Sequence, residues 1–336
     1  MKHAILVILM VGTLFNCART PATYRKIDTG ITSLEKLQVN GDEQVILLRG
    51  KNTEDPIVLF LHGGPGMPMM YLAHTFQEEL EQHFIVAHWD QRASGKSWHT
   101  EQDTSSINIR QYLDDAYVVI SHLQERFDKK KIFLVGHSFG SYLGTLLIRE
   151  KPEWFHAYIG IGQVVDDKKA LTIQADFLNK EATKRKDTKA LSELDHYGWR
   201  IHEKYLFKYG GELKHHTGYW PFIRDGLMSK EYTFRDAMNL SRASNFCSRH
   251  MQYNVIEGSI LEAGIDTFQL PVYYFVGVSD YTTPFTLIEA YYAQVKAPRK
   301  ALVWFHSSAH FPHYEEPDEF VNQMILIKQS TFLENQ

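Results

Sequence analysis

The run Lys131-Ile132-Phe133-Leu134-Val135 leads directly into Gly136-His137-Ser138-Phe139-Gly140 and then into Ser141-Tyr142-Leu143-Gly144-Thr145-Leu146-Leu147-Ile148. The first segment is β-branched and aromatic and reads as a buried strand; the last reads as a helix. A strand and a helix joined by G-x-S-x-G form a turn so tight that only small residues fit beside the serine. This is the physical reason for Gly136 and Gly140. The turn lifts the Ser138 hydroxyl off the sheet edge and leaves it exposed at a helix N-terminus. There the free N–H groups and the helix dipole favour developing negative charge. The same pentapeptide would also serve as an ordinary glycine-rich turn, so its meaning depends on what the rest of the chain supplies.

A serine hydroxyl is a poor nucleophile at neutral pH. It needs a base, a group that orients the base, and donors for an oxyanion. In open α/β sheets such groups sit on loops at the carboxyl ends of strands. Ile57–Leu61 reads as one such strand and runs into His62-Gly63-Gly64-Pro65-Gly66, where glycine lets the backbone approach a ligand closely. The Gly64 N–H is assigned as one oxyanion donor and the Phe139 N–H as the second. Val272–Val276 is another strand, left by Gly277-Val278-Ser279-Asp280, which makes Asp280 the candidate acid. A helix-capping or turn aspartate is its alternative reading. Ala301–Phe305 is the last strand. His306-Ser307-Ser308-Ala309-His310 leads out of it and supplies His310 as the base. The order serine, aspartate, histidine, each after its own strand, is a stronger signal than any one member.

His306 and His313 flank His310 at spacings that imitate metal ligands. Pro312 breaks any helix that would align the three, and no nearby cysteine or carboxylate completes a zinc set, so no metal or other cofactor is expected. The 336 residues carry a net charge of −4, which argues against nucleic acid as a partner. The length implies one catalytic domain with an insertion. Gly95-Lys96-Ser97 lacks the leading glycine of a phosphate loop, because position 90 is Asp90.

With these residues identified, the chain resembles the α/β-hydrolase superfamily, and within it the proline iminopeptidase (prolyl aminopeptidase) group. Three motifs carry the resemblance: His62-Gly63-Gly64-Pro65-Gly66, Trp89-Asp90-Gln91-Arg92-Ala93-Ser94-Gly95-Lys96-Ser97, and Gly136-His137-Ser138-Phe139-Gly140-Ser141. Gly277…Asp280 and His310…Glu315-Glu316-Pro317 also fit. The likeness covers residues 45–160 and 268–330 and fades between them. Iminopeptidases usually have Gly before and Trp after the nucleophile; here these are His137 and Phe139, and His at the first position is common in lipases and esterases. The resemblance implies a mostly parallel, twisted sheet with helices on both faces and a helical cap. It also implies cap glutamates that hold a substrate's free amine, with Glu203, Glu212, Asp225 and Glu231 as unranked candidates.

At the N-terminus, Lys2 precedes an apolar run of 12 residues from Ala4 to Phe15, the size of a signal-peptide core and too short to span a bilayer. Leu14-Phe15-Asn16-Cys17 resembles a bacterial lipoprotein box. The expectation is export with residues 1–17 as a signal, giving a periplasmic protein or a lipoprotein tethered to a membrane through lipid on Cys17. Plain secretion and an uncleaved anchor stay open. Cys247 alone would remain, so no internal disulfide can form. Leu34–Val39 and Gln44–Leu48 alternate around Asn40-Gly41, a strong hairpin signal. The expected core comprises residues 30–162 and 268–336, with a lid at 163–267. The lid is rich in aromatics, of which Trp220, Phe222 and Phe246 are nominated as pocket walls. The substrate is expected to be a short peptide or other small molecule. The readings carried forward are an aminopeptidase of the iminopeptidase type, a carboxylesterase or lipase, and a non-catalytic binder on the same fold.

Overall fold

The computed structural model describes residues 29–251, 260 and 262–331; the signal segment 1–17 with Cys17 lies outside them. The described chain divides into two compact units. One holds the residues up to 129 together with 222–251, the other residues 130–221 and those from 260 onward. This division differs from the sequence-based one, because it runs through the expected lid.

In the first unit, β1 (Ile31–Val39) and β2 (Asp42–Gly50) pair antiparallel about the expected hairpin. Asn40 at φ 48° and Gly41 at φ 80° are both left-handed, the geometry a two-residue turn needs to match strand twist. β3 (Ile57–Leu61) and β4 (Ile85–Asp90) are buried along their whole length and pair parallel. The order is β1-β2-β4-β3, and β2 opposes β4. Helix α1 (Ile109–Arg126) is capped by Asn108, whose side chain accepts from the Gln111 N–H at 2.9 Å.

In the second unit, β5 (Ile132–His137), β6 (Phe155–Ile161), β7 (Val272–Gly277) and β8 (Lys300–Phe305) lie in sequence order, all parallel. β5 to β7 are near-continuous apolar runs because parallel strands are covered on both faces. β5 runs two residues past the expected strand, through Gly136 and His137, up to the serine. Helix α2 (Phe139–Glu150) follows β5. Between β6 and β7 come α3 (Asp167–Lys184), α4 (Thr188–Tyr197), α5 (His202–Tyr209), α6 (Trp220–Met228) and α7 (Phe234–His250). Leu178, Ala182, Ala190, Leu194, Tyr205, Leu206 and Tyr209 form a core shared by α3, α4 and α5, so several of the inserted aromatics serve packing. The chain ends in α8 (Phe285–Gln294), the short α9 (Pro312–Glu315) and α10 (Pro317–Thr331). No helix among the described residues is long and apolar enough to cross a membrane.

Candidate active site

Ser138 sits between β5 and α2 at φ 52°, ψ −124°, a conformation that costs a non-glycine residue of order 1–3 kcal/mol. Local packing enforces it. A Cβ on Gly136 would lie 2.5 Å from the Gly140 carbonyl oxygen and 2.8 Å from the Ser141 Cα. The Ser138 N–H donates to the Ile161 carbonyl at 2.9 Å, and the Ser138 carbonyl accepts from the Ser141 N–H at 2.7 Å and the Ser141 hydroxyl at 2.6 Å. The serine is thus tied to the ends of both β6 and α2. Phe139 is the first residue of α2.

The other two candidates meet at the carboxyl ends of β7 and β8. A Cβ on Gly277 would fall 2.0 Å from the Ala309 carbonyl oxygen, so glycine is what lets the two loops touch. Asp280 is fully buried. Its Oδ1 accepts from the Thr282 and Thr283 N–H groups at 2.9 Å each. Its Oδ2 accepts from the Thr283 hydroxyl and from His310 Nδ1, also at 2.9 Å. Four donors fix the carboxylate, and its bond to Nδ1 leaves Nε2 as the acceptor nitrogen of the neutral His310 ring. Burial pushes the His310 pKa down, but the charge of Asp280, its hydrogen bond, and the charges of Glu212 and Glu315 outweigh it; the net shift is upward.

Ser138 and His310 converge through their neighbours. Gly162 follows the Ile161 that holds Ser138, and a Cβ there would lie 2.7 Å from both Cε1 and Nδ1 of His310. His137 precedes Ser138; its Nε2 lies 3.0 Å from the His310 carbonyl oxygen, which can only accept, and the two rings are 4.7 Å apart. The His310 N–H donates to the Glu212 carbonyl at 3.0 Å. Glu315 accepts from the Ala309 N–H and from the Lys214 N–H, both at 2.7 Å. His310 is therefore pinned at both peptide groups. His306 is exposed, and its carbonyl accepts from the Lys214 ammonium; His313 is buried in α9 with its ring 5.0 Å from His137.

Of the four unranked carboxylates, Glu203 is exposed and accepts from the Tyr219 hydroxyl at 2.5 Å. Asp225 is buried and paired with Arg224 at 2.6 Å; Glu231 is buried with Arg49 at 3.8 Å. Glu212 is buried, accepts from the Thr282 hydroxyl, and has no Lys or Arg partner among the described residues. Burial pushes its carboxyl up to about 7 against the pull of His310 and the Thr282 bond. Nothing in the local sequence ranked Glu212 or marked His137 as a contact of His310. The Thr282-Thr283 pair after Asp280 was legible as turn chemistry, since an aspartate commonly accepts from N–H groups two and three residues on.

The remaining predicted residues lie apart from this cluster in the chain. Gly64, in the first unit, has φ 114°, and a Cβ there would lie 2.7 Å from the Gly66 and Met67 nitrogens. Neighbouring His62 is held neutral by burial, with its pKa lowered to about 4. Phe222 is buried, and Phe246 is half-buried with its ring 5.1 Å from Trp98. Trp220 is 67% exposed, so the structure gives no enclosure that would make it a pocket wall. Among the described residues no group of three or more His, Cys, Asp or Glu is placed to hold a metal ion.

The family model described as serine aminopeptidase, S33, matches residues 52–317. The chain is 29% identical over 305 residues to the probable aminopeptidase YbaC of Bacillus subtilis (strain 168), covering 88% of this chain and 95% of that protein. In fold it is similar to a proline iminopeptidase from Mycobacterium smegmatis, with a TM-score of 0.68 at 16% identity, over 90% of this chain and 100% of that one. It is also similar to a proline iminopeptidase-related protein from Thermus thermophilus, with a TM-score of 0.62 at 19% identity, over 90% of this chain and 98% of that one. The mostly parallel sheet, the strained serine turn and this match over most of the length agree: the chain is an α/β-hydrolase enzyme and belongs to the serine aminopeptidase S33 family.

Proposed function

We propose that the protein is an aminopeptidase that releases N-terminal residues from short peptides through Ser138, His310 and Asp280. The observation that carries this reading is Glu212, a buried carboxylate beside His310 with no Lys or Arg partner among the described residues. A buried, unpaired carboxylate is costly, and a substrate ammonium is the ligand that would neutralise it.

In the proposed reaction, Ser138 Oγ attacks the carbonyl carbon as His310 Nε2 takes its proton. Asp280 holds the Nδ1 proton, which fixes the tautomer and stabilises the imidazolium. The Phe139 N–H receives the developing oxyanion, and Gly64 is kept as the second donor on the sequence grounds given above; each such donor lowers the barrier by about 3 kcal/mol. His310 then protonates the leaving amine, and water repeats the sequence to clear the acyl-enzyme. No step calls for a cofactor.

His137 favours a second reading, a carboxylesterase, since histidine before the nucleophile is common in esterases of this fold. Paired kinetics on proline β-naphthylamide and p-nitrophenyl butyrate, with Ser138→Ala alongside, separate the two. Amide turnover lost in Ser138→Ala is expected. Ester turnover alone, also serine-dependent, would replace the aminopeptidase with the esterase. No serine-dependent turnover of either would return the third reading, a non-catalytic binder.

A further inference from the structure

Helices α6 and α7 carry apolar side chains on both their inner and their outer faces. Their inner positions are filled: Phe222, Asp225 and Ser229 on α6 and its end, Ala243 and Cys247 on α7, are all buried. A Cβ on Gly226 would lie 3.0 Å from the Tyr71 ring, and Gly66 packs against Cys247. Yet several of their outer positions are also apolar. Ile223 is 51% exposed, Leu227 50%, Met228 64%, Phe234 58% and Met238 50%. Ile223 and Leu227 are one helical turn apart, as are Phe234 and Met238, so each pair occupies one side of its helix. Single exposed apolar residues are ordinary; several within one short stretch mark a surface that something covers.

The charge on this stretch identifies the partner. Within 220–250 every exposed Asp, Glu, Lys or Arg side chain is basic: Arg224, Lys230, Arg235, Arg242 and Arg249. The three acids are used internally. Asp225 is buried and pairs with Arg224 at 2.6 Å, and Glu231 is buried near Arg49. Asp236 caps α7 and pairs with Lys96 at 2.6 Å. Four basic side chains, Lys230, Arg235, Arg242 and Arg249, have no acidic partner among the described residues, in a chain whose net charge is −4. Apolar side chains among unpaired Lys and Arg are the composition of a helix that lies in a membrane interface. A second copy is the poorer occupant, because a two-fold contact through this face would bring like charges together. The α7 end is held in place by the Thr233–Asp236 capping box and by the Tyr232 hydroxyl donating to Asp90, so the surface is preformed.

We infer that the outer face of α6 and the first turns of α7 dock on an anionic lipid bilayer. This would hold the enzyme flat against a membrane through apolar insertion and phosphate contacts. It is independent of any lipid on Cys17 and of the proposed peptidase activity.

The test uses the full chain carrying Cys17→Ser, mixed with vesicles of phosphatidylglycerol and phosphatidylethanolamine or of phosphatidylcholine alone. Hydrogen exchange across 220–242 reports contact locally, so binding through the N-terminal apolar run is not mistaken for it. Slower exchange there with the anionic vesicles only, reversed by salt, is expected. A triple variant Ile223→Ser, Leu227→Ser, Met238→Ser should abolish that protection. A double variant Arg235→Gln, Arg242→Gln should weaken local binding about thirtyfold. All substituted residues are exposed, and unchanged circular dichroism checks the fold. No protection with anionic vesicles, or protection that survives the triple variant, overturns the inference. So does protection without vesicles that scales with protein concentration, which would assign the face to a second copy, and so does equal protection by soluble polyglutamate, which would assign it to an acidic protein.

Discussion

Ser138 is held at φ 52° by hydrogen bonds from both sides, and replacing its hydroxyl leaves that backbone in place. Ser138→Ala is therefore expected to fold normally and to lower kcat on the order of 10⁴-fold or more, measured on the better of the two substrates. Asp280→Asn keeps the Thr282 and Thr283 contacts on one oxygen but cannot fix the His310 tautomer, so a loss of about 10⁴-fold in kcat is expected with little change in KM. His137 contacts the proposed base at the His310 carbonyl. His137→Gly removes that contact and should lower kcat by about ten- to a hundredfold, with partial recovery in His137→Gln, whose amide can donate to the same carbonyl. Equal kcat in the wild type and His137→Gly would reduce His137 to a filler between the rings of His310, Phe311 and His313. Burial pushes the Glu212 carboxyl up to about 7, and an ammonium-binding carboxylate must be ionised. KM for an amine-bearing substrate should fall as pH rises through about 7, and Glu212→Gln should raise KM and flatten that dependence without touching ester turnover.

At the scale of elements, the site depends on close approaches that only glycine permits. Gly162→Ala would drive a Cβ to 2.7 Å from the His310 ring at a backbone φ of 53°. The expected result is a large loss of kcat with destabilisation of about 1–3 kcal/mol, read by thermal unfolding beside kinetics. Strands and turns were legible because their signals are local. β3 coincides with Ile57–Leu61, and the Asn40-Gly41 hairpin folds as its dipeptide requires. β5 ran longer than expected because Gly136 and His137 pair with Gly160 and Ile161 on β6, a contact that no local pattern encodes. The lid aromatics were visible as a cluster, but whether each is core or surface is not: Tyr205 and Tyr209 are buried, while Tyr197 and Trp199 are exposed.

Across the whole molecule, several buried groups link stability to pH. Burial raises Asp90, Glu212 and Glu315 each to about 7. Between their ordinary range and 7 the folded chain keeps protons that the unfolded chain has lost, so these groups stabilise at low pH and their contribution fades as pH rises through about 7. His62, His88 and His156 are lowered to about 4, 3 and 4 by burial, and they favour the fold as pH rises, but only up to 6.5. Above 6.5 the carboxyls act without that opposition, joined by the raised His310, so the melting temperature should fall from pH 6.5 to about 7.5. A flat or rising melting temperature over that interval would show that these carboxyls gain cationic partners when they ionise. By itself the sequence determined the strand–turn–helix units, the placing of Ser138, Asp280 and His310 after strands in that order, and the family, because each is written in a few adjacent residues. Tertiary structure alone decided that His137 and Glu212 hold the His310 backbone, that Glu212 is buried with no Lys or Arg partner among the described residues, and that α6 and α7 turn apolar side chains outward. Those facts depend on which distant segments meet, and burial and pairing are properties of the meeting rather than of either segment.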